Sequence, residues 1–435
     1  MLQTIRNAWK LPELRSKILF TLFILLVYRI GSVLPVPFVD PVIMEQTMEQ
    51  SSNALMYYTF LAGDAFSKAN VFALSISPYI TSSIVMQLLT IAIPALERMS
   101  KDGDEGRKKI ARITRYVTVA LGLITAFGYY IYLKNMGIVT QDGRGWFGGF
   151  VMVSCYAAGA ALIMWLAEKI NEKGIGNGIS LILFANIVSR VPTMAISLIY
   201  NVMGKTNTTD LIIEIVLLVL AVAVGLGMVW FVVHMHSAER RIPVQYAKRQ
   251  VGRRMYGGQS TYLPLKVNMT GVMPIIFASS IVALPTTIAM MAGKSGATTG
   301  FWGVMNSLFA PSSWLYAALT FVLIIAFAYF YISISFSPIE VANNLKKNGG
   351  SIMGIRPGKP TTDYISKILT KITLIGAIFL ALIAVVPLIA SMFASSFNLL
   401  AFGGSSIIIV VGVVIETVTE IETQMTMRHY KGFLE

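Results

Sequence analysis

Residues 237–268, SAERRIPVQYAKRQVGRRMYGGQSTYLPLKVN, gather Arg240, Arg241, Lys248, Arg249, Arg253, Arg254 and Lys266 around one acid, Glu239. Strongly apolar stretches flank this segment on both sides. About two or three cations suffice to orient a membrane helix. The surplus therefore points to a docking surface for something large and anionic. Arginine's planar fork bonds phosphate and carboxylate alike, so both RNA and an acidic protein fit it. A second basic stretch runs over residues 337–368 and contains NNLKKNGGSIMGIRPGKP, with Lys346 and Lys347. Its GIRPG turn, residues 354–358, holds Arg356 at a tip, because Pro357 fixes φ and the glycines permit tight turns.

Catalytic chemistry finds little footing. GRRMYGG, residues 252–258, has glycines at phosphate-loop spacing but lacks the lysine that reaches phosphate. His234 and His236 are neighbours at the end of an apolar stretch, predicted as solvated groups at the membrane interface, and His429 is remote. No metal-ligand spacing is visible and no cofactor is expected. Cys155 is the one cysteine and falls in an apolar segment, which excludes an internal disulfide. The rival reading is an ion-coupled carrier of a small solute. Such carriers place acids or histidines within their spans as relays. Here Glu214 and Glu416 lie toward span ends, as do Arg29 and Arg190. A charge at the bilayer centre costs about 2.5–3.5 kcal/mol even on the lenient scale, and this chain avoids it.

The elements that position these groups are membrane helices. Of 435 residues, 55% are apolar and 13% charged, with a mean hydropathy of +0.68 and a net charge of +14. That balance is far from a soluble average. A span needs about 20 apolar residues, and ten stretches qualify, near 18–35, 71–93, 113–133, 146–167, 178–200, 211–233, 269–292, 314–336, 370–392 and 403–421. Residues 1–17 read as a short amphipathic cytoplasmic helix, with Leu2, Ile5 and Trp9 on one side and Arg6 and Lys10 available to headgroups. The first apolar stretch runs into Pro35 and Pro37 rather than a cleavage site, so it is expected to stay as a span. Lys and Arg crowd alternate connections, which places both termini in the cytoplasm.

PYITSSIV at 78–85 echoes PIIFASSIV at 274–282. The echo fits two five-span halves, residues 18–208 and 209–421, followed by a cytoplasmic tail at 422–435. An odd span number inverts the second copy, and Pro-bearing helices at matching places mark a transport path. Residues 53–70, NALMYYTFLAGDAFSKAN, are amphipathic and too short to span. Two placements fit them: a re-entrant element enclosed by protein or water, or a helix lying on the outer leaflet.

Several motifs carry a family resemblance. FALSISPYITSSIVMQLL at 72–89, GDEGRKKIARITRY at 103–116, KGIGNGIS at 173–180, YAKR at 246–249, LPLKVN at 263–268, GIRPG at 354–358 and FGG at 402–404 follow in order. Together they resemble the SecY family, the channel subunits of bacterial preprotein translocases, over nearly the whole chain. The resemblance implies an all-α channel with an hourglass pore, which passes signal-bearing polypeptides and releases membrane segments sideways into lipid. It implies a constricting ring of Ile76, Ile80, Ile179, Leu183, Ile276 and Ile409. Such a ring resists wetting and ions and offers a passing chain no fixed hydrogen bonds.

It also implies a plug near 54–68, including Phe60, Gly63, Asp64 and Phe66, with Asp64 departing from a more usual glycine. Ser75 departs likewise and is expected to tighten or stiffen the start of the second span. The second and seventh spans match a lateral gate, where Gln87, Thr114 and Asn268 are expected to form a polar cluster. A few interhelical bonds of about 0.6 kcal/mol each would hold it closed yet openable. The basic stretches match docking surfaces for the SecA ATPase or the ribosome. Further implied partners are SecE-like and SecG-like membrane subunits, signal peptides, preproteins and lipid, in the bacterial cytoplasmic membrane.

Overall fold

The structure, a computed structural model, describes residues 2–40, 43–44, 63–203, 208–246, 249–251, 254–256, 260–294, 299–310, 313–393 and 403–431. It opens with α1, Leu2–Trp9, and α2, Pro12–Gly31. Pro12 occupies the first turn of α2, where a missing N–H costs nothing, and Glu13 faces the positive helix end. The single amphipathic element expected over 1–17 is therefore two helices, broken where Pro12 restarts the chain. Instead of lying free, α1 packs on the last helix, with Ala8 buried beside Leu14, Ile175 and Ile421.

Each of the ten apolar stretches lies largely on helix. They are α2; α4, Ser77–Ala92; α6, Gly103–Asn135; α7, Trp146–Lys173; α8, Gly178–Met203; and α9, Thr208–Ser237. The others are α10, Met273–Val282, with α11, Leu284–Met291; α13, Trp314–Ser335; α15, Lys359–Phe393; and α16, Gly403–Lys431. The short helices α3, Asp64–Ser67, α5, Pro94–Lys101, α12, Gly300–Leu308, and α14, Pro338–Lys347, lie between them.

Among the described residues, five helices are individually long and apolar enough to cross a membrane, and α4 with α5 makes a sixth as a pair bent by 101°. The bend falls at Pro94, which cannot continue a helix from the preceding residue. Helix α6 has 33 residues, about 50 Å of helix against a hydrocarbon core of about 30 Å. Its first turns, with Arg107, Lys108, Lys109 and Arg112, thus extend beyond the apolar layer. Leu22, Phe23, Leu26 and Ile30 on α2 and Val216, Val219 and Leu226 on α9 are exposed. Exposed aliphatic faces along long helices are what lipid solvates.

The two basic stretches are not separate irregular loops. Strand β1, Glu239–Tyr246, pairs antiparallel with β4, Ser260–Lys266, on one side and with β5, Gly350–Ile352, on the other. A small ribbon of β2, Arg249–Val251, and β3, Arg254–Tyr256, extends the hairpin. Period-two alternation turns Ile242, Val244 and Leu265 inward, where they meet Leu345 of α14, Ile352 of β5 and Ile365 of α15. The two stretches thus share one small apolar core outside the main helical one.

Candidate functional site

Four helices carry the six residues expected to form the ring. Ile76 caps α4 and Ile80 is one turn further; Ile179 and Leu183 open α8; Ile276 lies on α10 and Ile409 on α16. Helix α4 packs against α10, and α8 against α16. Ile76, Ile80, Leu183, Ile276 and Ile409 are all buried members of one apolar cluster, and Ile179 is half-buried against it. The six aliphatic side chains thus meet within the main apolar core, with buried Ser75 and Asn186 next to them in sequence.

Before α4 the chain is clamped from outside. Gly63 adopts φ +62, and a Cβ there would lie 3.4 Å from the Asn186 carbonyl of α8. A side chain would strain this turn. Phe66 is fully buried, and its ring lies 4.9 Å from that of Tyr129 on α6. Tyr129 donates from its hydroxyl to the Phe66 carbonyl at 2.8 Å, and Tyr156 of α7 donates to the Ala69 carbonyl at 3.1 Å. The Asn70 side chain donates to the Ser32 carbonyl at 2.8 Å. Gly63 and Phe66 thus belong to a well-anchored stretch. Asp64 begins α3, and Phe60 lies outside the described residues.

The three expected gate residues do not bond to one another. Gln87 donates to Ser83 Oγ on its own helix at 3.4 Å, and its Oε1 is buried with no hydrogen-bond partner among the described residues. Thr114 donates to the Ile110 carbonyl one turn back, while its own carbonyl accepts from Ser82 of α4 at 2.9 Å. Asn268 donates to the Gly271 carbonyl, accepts from Thr270, and lies 3.1 Å from His236 Nε2. The polar cluster across the gate is corrected accordingly. Thr114 reaches the backbone of its own helix, as threonine commonly does, and Asn268 lies in the connection between β4 and α10, where Thr270, Gly271 and His236 take up its amide. His236 is likewise corrected: it is buried against Asn268 rather than solvated, whereas His234 is exposed and stacks on Trp230.

Spans three and seven do meet directly nearer their other ends. Gly128 of α6 lies against Met291 of α11, and Asn135 donates to the Gly293 carbonyl at 3.3 Å.

Among the described side chains, the cations of β1 are exposed. Arg240 and Arg241 are exposed at the start of β1, and Arg241 pairs with Glu239 at 2.7 Å. Arg249 and Arg254 fall on β2 and β3, while Lys248 and Arg253 lie outside the described residues. Lys346 and Lys347 are exposed in the last turn of α14. Arg356 stands exposed on its turn, where Gly354 and Gly358 have φ of +78 and +110 and Thr361 donates to the Arg356 carbonyl. Exposed Arg240, Arg241, Lys346, Lys347 and Arg356 thus belong to one sheet, helix and turn assembly built around the small apolar core.

The SecY family model matches residues 70–418. The chain belongs to the SecY family. It is 43% identical over 448 aligned positions to the protein translocase subunit SecY of Streptomyces coelicolor, with 100% of both chains covered. To the SecY of Corynebacterium glutamicum it is 42% identical over 453 positions, again with full coverage of both. Among solved structures, a protein-conducting channel matches with a TM-score of 0.68 at 16% identity, covering 94% of this chain and 92% of the other. Sec61 of the canine ribosome–channel complex matches with a TM-score of 0.62 at 14% identity, covering 94% and 92%. These likenesses give the fold: a mostly helical, multi-pass membrane architecture. A SecY protein is a protein-translocating channel and not an enzyme, which sets aside the small-solute carrier.

Two features escaped the sequence reading. Tyr129 and Tyr156 passed as ordinary apolar positions, although a tyrosine deep in a hydrocarbon-length helix must find its hydroxyl a partner. The sheet escaped as well, despite the alternation of Ile242, Val244 and Tyr246 with Arg241, Pro243 and Gln245, because charge dominated the stretch.

Proposed function

We propose that this chain conducts signal-bearing polypeptides across a bacterial cytoplasmic membrane, with both termini cytoplasmic. Residues 18–208 and 209–421 act as two inverted five-span halves, with 1–17 and 422–435 as cytoplasmic ends. A signal sequence wedges between α4 and α10–α11, the plug near 54–68 leaves, and the polypeptide threads Ile76, Ile80, Ile179, Leu183, Ile276 and Ile409. Gln87, Thr114 and Asn268 line the gate helices without tying them together. Sufficiently apolar segments partition sideways into lipid, by the transfer energetics that define a span. SecA or a translating ribosome docks on the basic sheet and on Arg356, and SecE-like and SecG-like subunits complete the complex.

The observation that carries this reading is the burial of aliphatic residues from α4, α8, α10 and α16 in one apolar core within a SecY-family chain. Reconstitution with SecA, ATP and a preprotein tests it directly. ATP-dependent protection of the preprotein inside the vesicles is expected; absence of protected preprotein in vesicles holding correctly inserted protein refutes it. Crosslinking of a stalled secretory chain to positions 80 and 276 tests the path itself.

A further inference from the structure

Immediately beside the aliphatic residues lies a buried polar chain of three side chains from three different segments. Tyr28 of α2 donates from its hydroxyl to Asn186 Oδ1 of α8 at 2.7 Å. Asn186 donates from Nδ2 to Ser75 Oγ at 3.2 Å, ahead of α4. Exposure is 0% for Tyr28, 1% for Asn186 and 0% for Ser75. The Tyr28 ring is held by stacking on Phe72, 5.5 Å between centroids. Ser75 directly precedes Ile76, and Asn186 follows Leu183 by three residues on the same helix, so the chain ties together the backbones that carry two of the ring positions.

Ser75 has φ +50, a left-handed conformation that glycine adopts freely and serine only under strain. A residue held there while its hydroxyl is bonded marks a constrained site rather than a neutral linker. We propose that Tyr28, Asn186 and Ser75 are positioning residues, a latch that fixes Ile76 against Leu183 and sets the threshold for opening the constriction. This rests on the ring reading given above. In the dry closed throat these hydrogen bonds have no water to replace them. When α4 and α8 part, the Asn186–Ser75 bond breaks, and the loss biases the channel toward the closed state.

The test compares the parent with Ser75→Ala, Ser75→Gly, Asn186→Leu and the double variant Ser75→Ala/Asn186→Leu in liposomes. Ion leak, transport of a precursor with a weakened signal, and thermal stability are measured together, with Ile409→Asn alongside. One hydrogen bond of about 1 kcal/mol in the opening equilibrium is worth about fivefold. Leak and weak-signal transport are therefore expected to rise about fivefold in the Ser75 variants and at least that much in Asn186→Leu, and in the double variant no further than in Asn186→Leu alone. Ser75→Gly removes the hydroxyl while relieving the strained backbone, so it tests the latch even if Asn186→Leu fails to insert. Unchanged leak in the Ser75 variants, with Ile409→Asn leaking, overturns the latch and leaves the ring standing. Leak that adds up in the double variant also overturns it. A silent Ile409→Asn overturns the ring and the latch with it.

Discussion

Replacing Ile409 by asparagine sets the ring's seal against ordinary packing. The side chain is 1% exposed in the main apolar cluster. Losing the burial of an isoleucine costs about 2–3 kcal/mol, and leaving an amide unpaired there adds about 1–3 kcal/mol. The open throat is wetter, so part of this sum falls on the closed state alone. Only about 1.4 kcal/mol expressed in the opening equilibrium raises the open population tenfold. A leak about tenfold above the parent, with relaxed demand for a functional signal sequence, is expected in proteoliposome ion-flux and preprotein-protection assays. The neighbouring Ile408 is equally buried, at 0%, but is not a ring position. Ile408→Asn is thus expected to lower thermal stability by a similar amount without the leak. Equal leak in both variants, or none in either, refutes the ring.

Three further outcomes follow from the geometry. Arg356→Glu reverses a charge on an exposed turn; SecA-driven transport is expected to fall at least tenfold while membrane insertion, read by protease accessibility, stays normal. Tyr129→Phe removes the donor to the Phe66 carbonyl. It is expected to cost about 1–3 kcal/mol, since a buried carbonyl loses its partner, read as a lower unfolding temperature and a higher resting leak. Ile242→Ala hollows the small core under the sheet, at about 2–4 kcal/mol of local stability. Faster trypsin cleavage at Arg240 and Arg241 is expected, with the helical region still resistant.

Hydropathy made the apolar helices readable, because bilayer thickness fixes the length of a spanning helix. The sites were readable less evenly. Ile76 and Ile80 could be singled out only through the motif around them, since an aliphatic residue in a membrane helix carries no mark of its own. Asn268 and His236 show the limit in the other direction. Both stood out as polar groups near span ends, yet each turned to the other, across the base of the hairpin, rather than to the gate or to solvent.

From the order of residues alone came the membrane class, the positions of the ten apolar stretches, the two cationic segments and the want of catalytic chemistry. These are local properties: each depends on a run of neighbouring side chains and on the solvent around it. Tertiary structure decided which distant groups share a partner. It joined residues 239–266 and 350–352 in one sheet, turned Tyr129 and Tyr156 onto the backbone preceding α4, and drew Tyr28, Asn186 and Ser75 into one buried chain. The physical reason is that a buried polar atom must be satisfied somewhere, while the sequence does not say which of many donors and acceptors the packing of helices will bring within 3 Å.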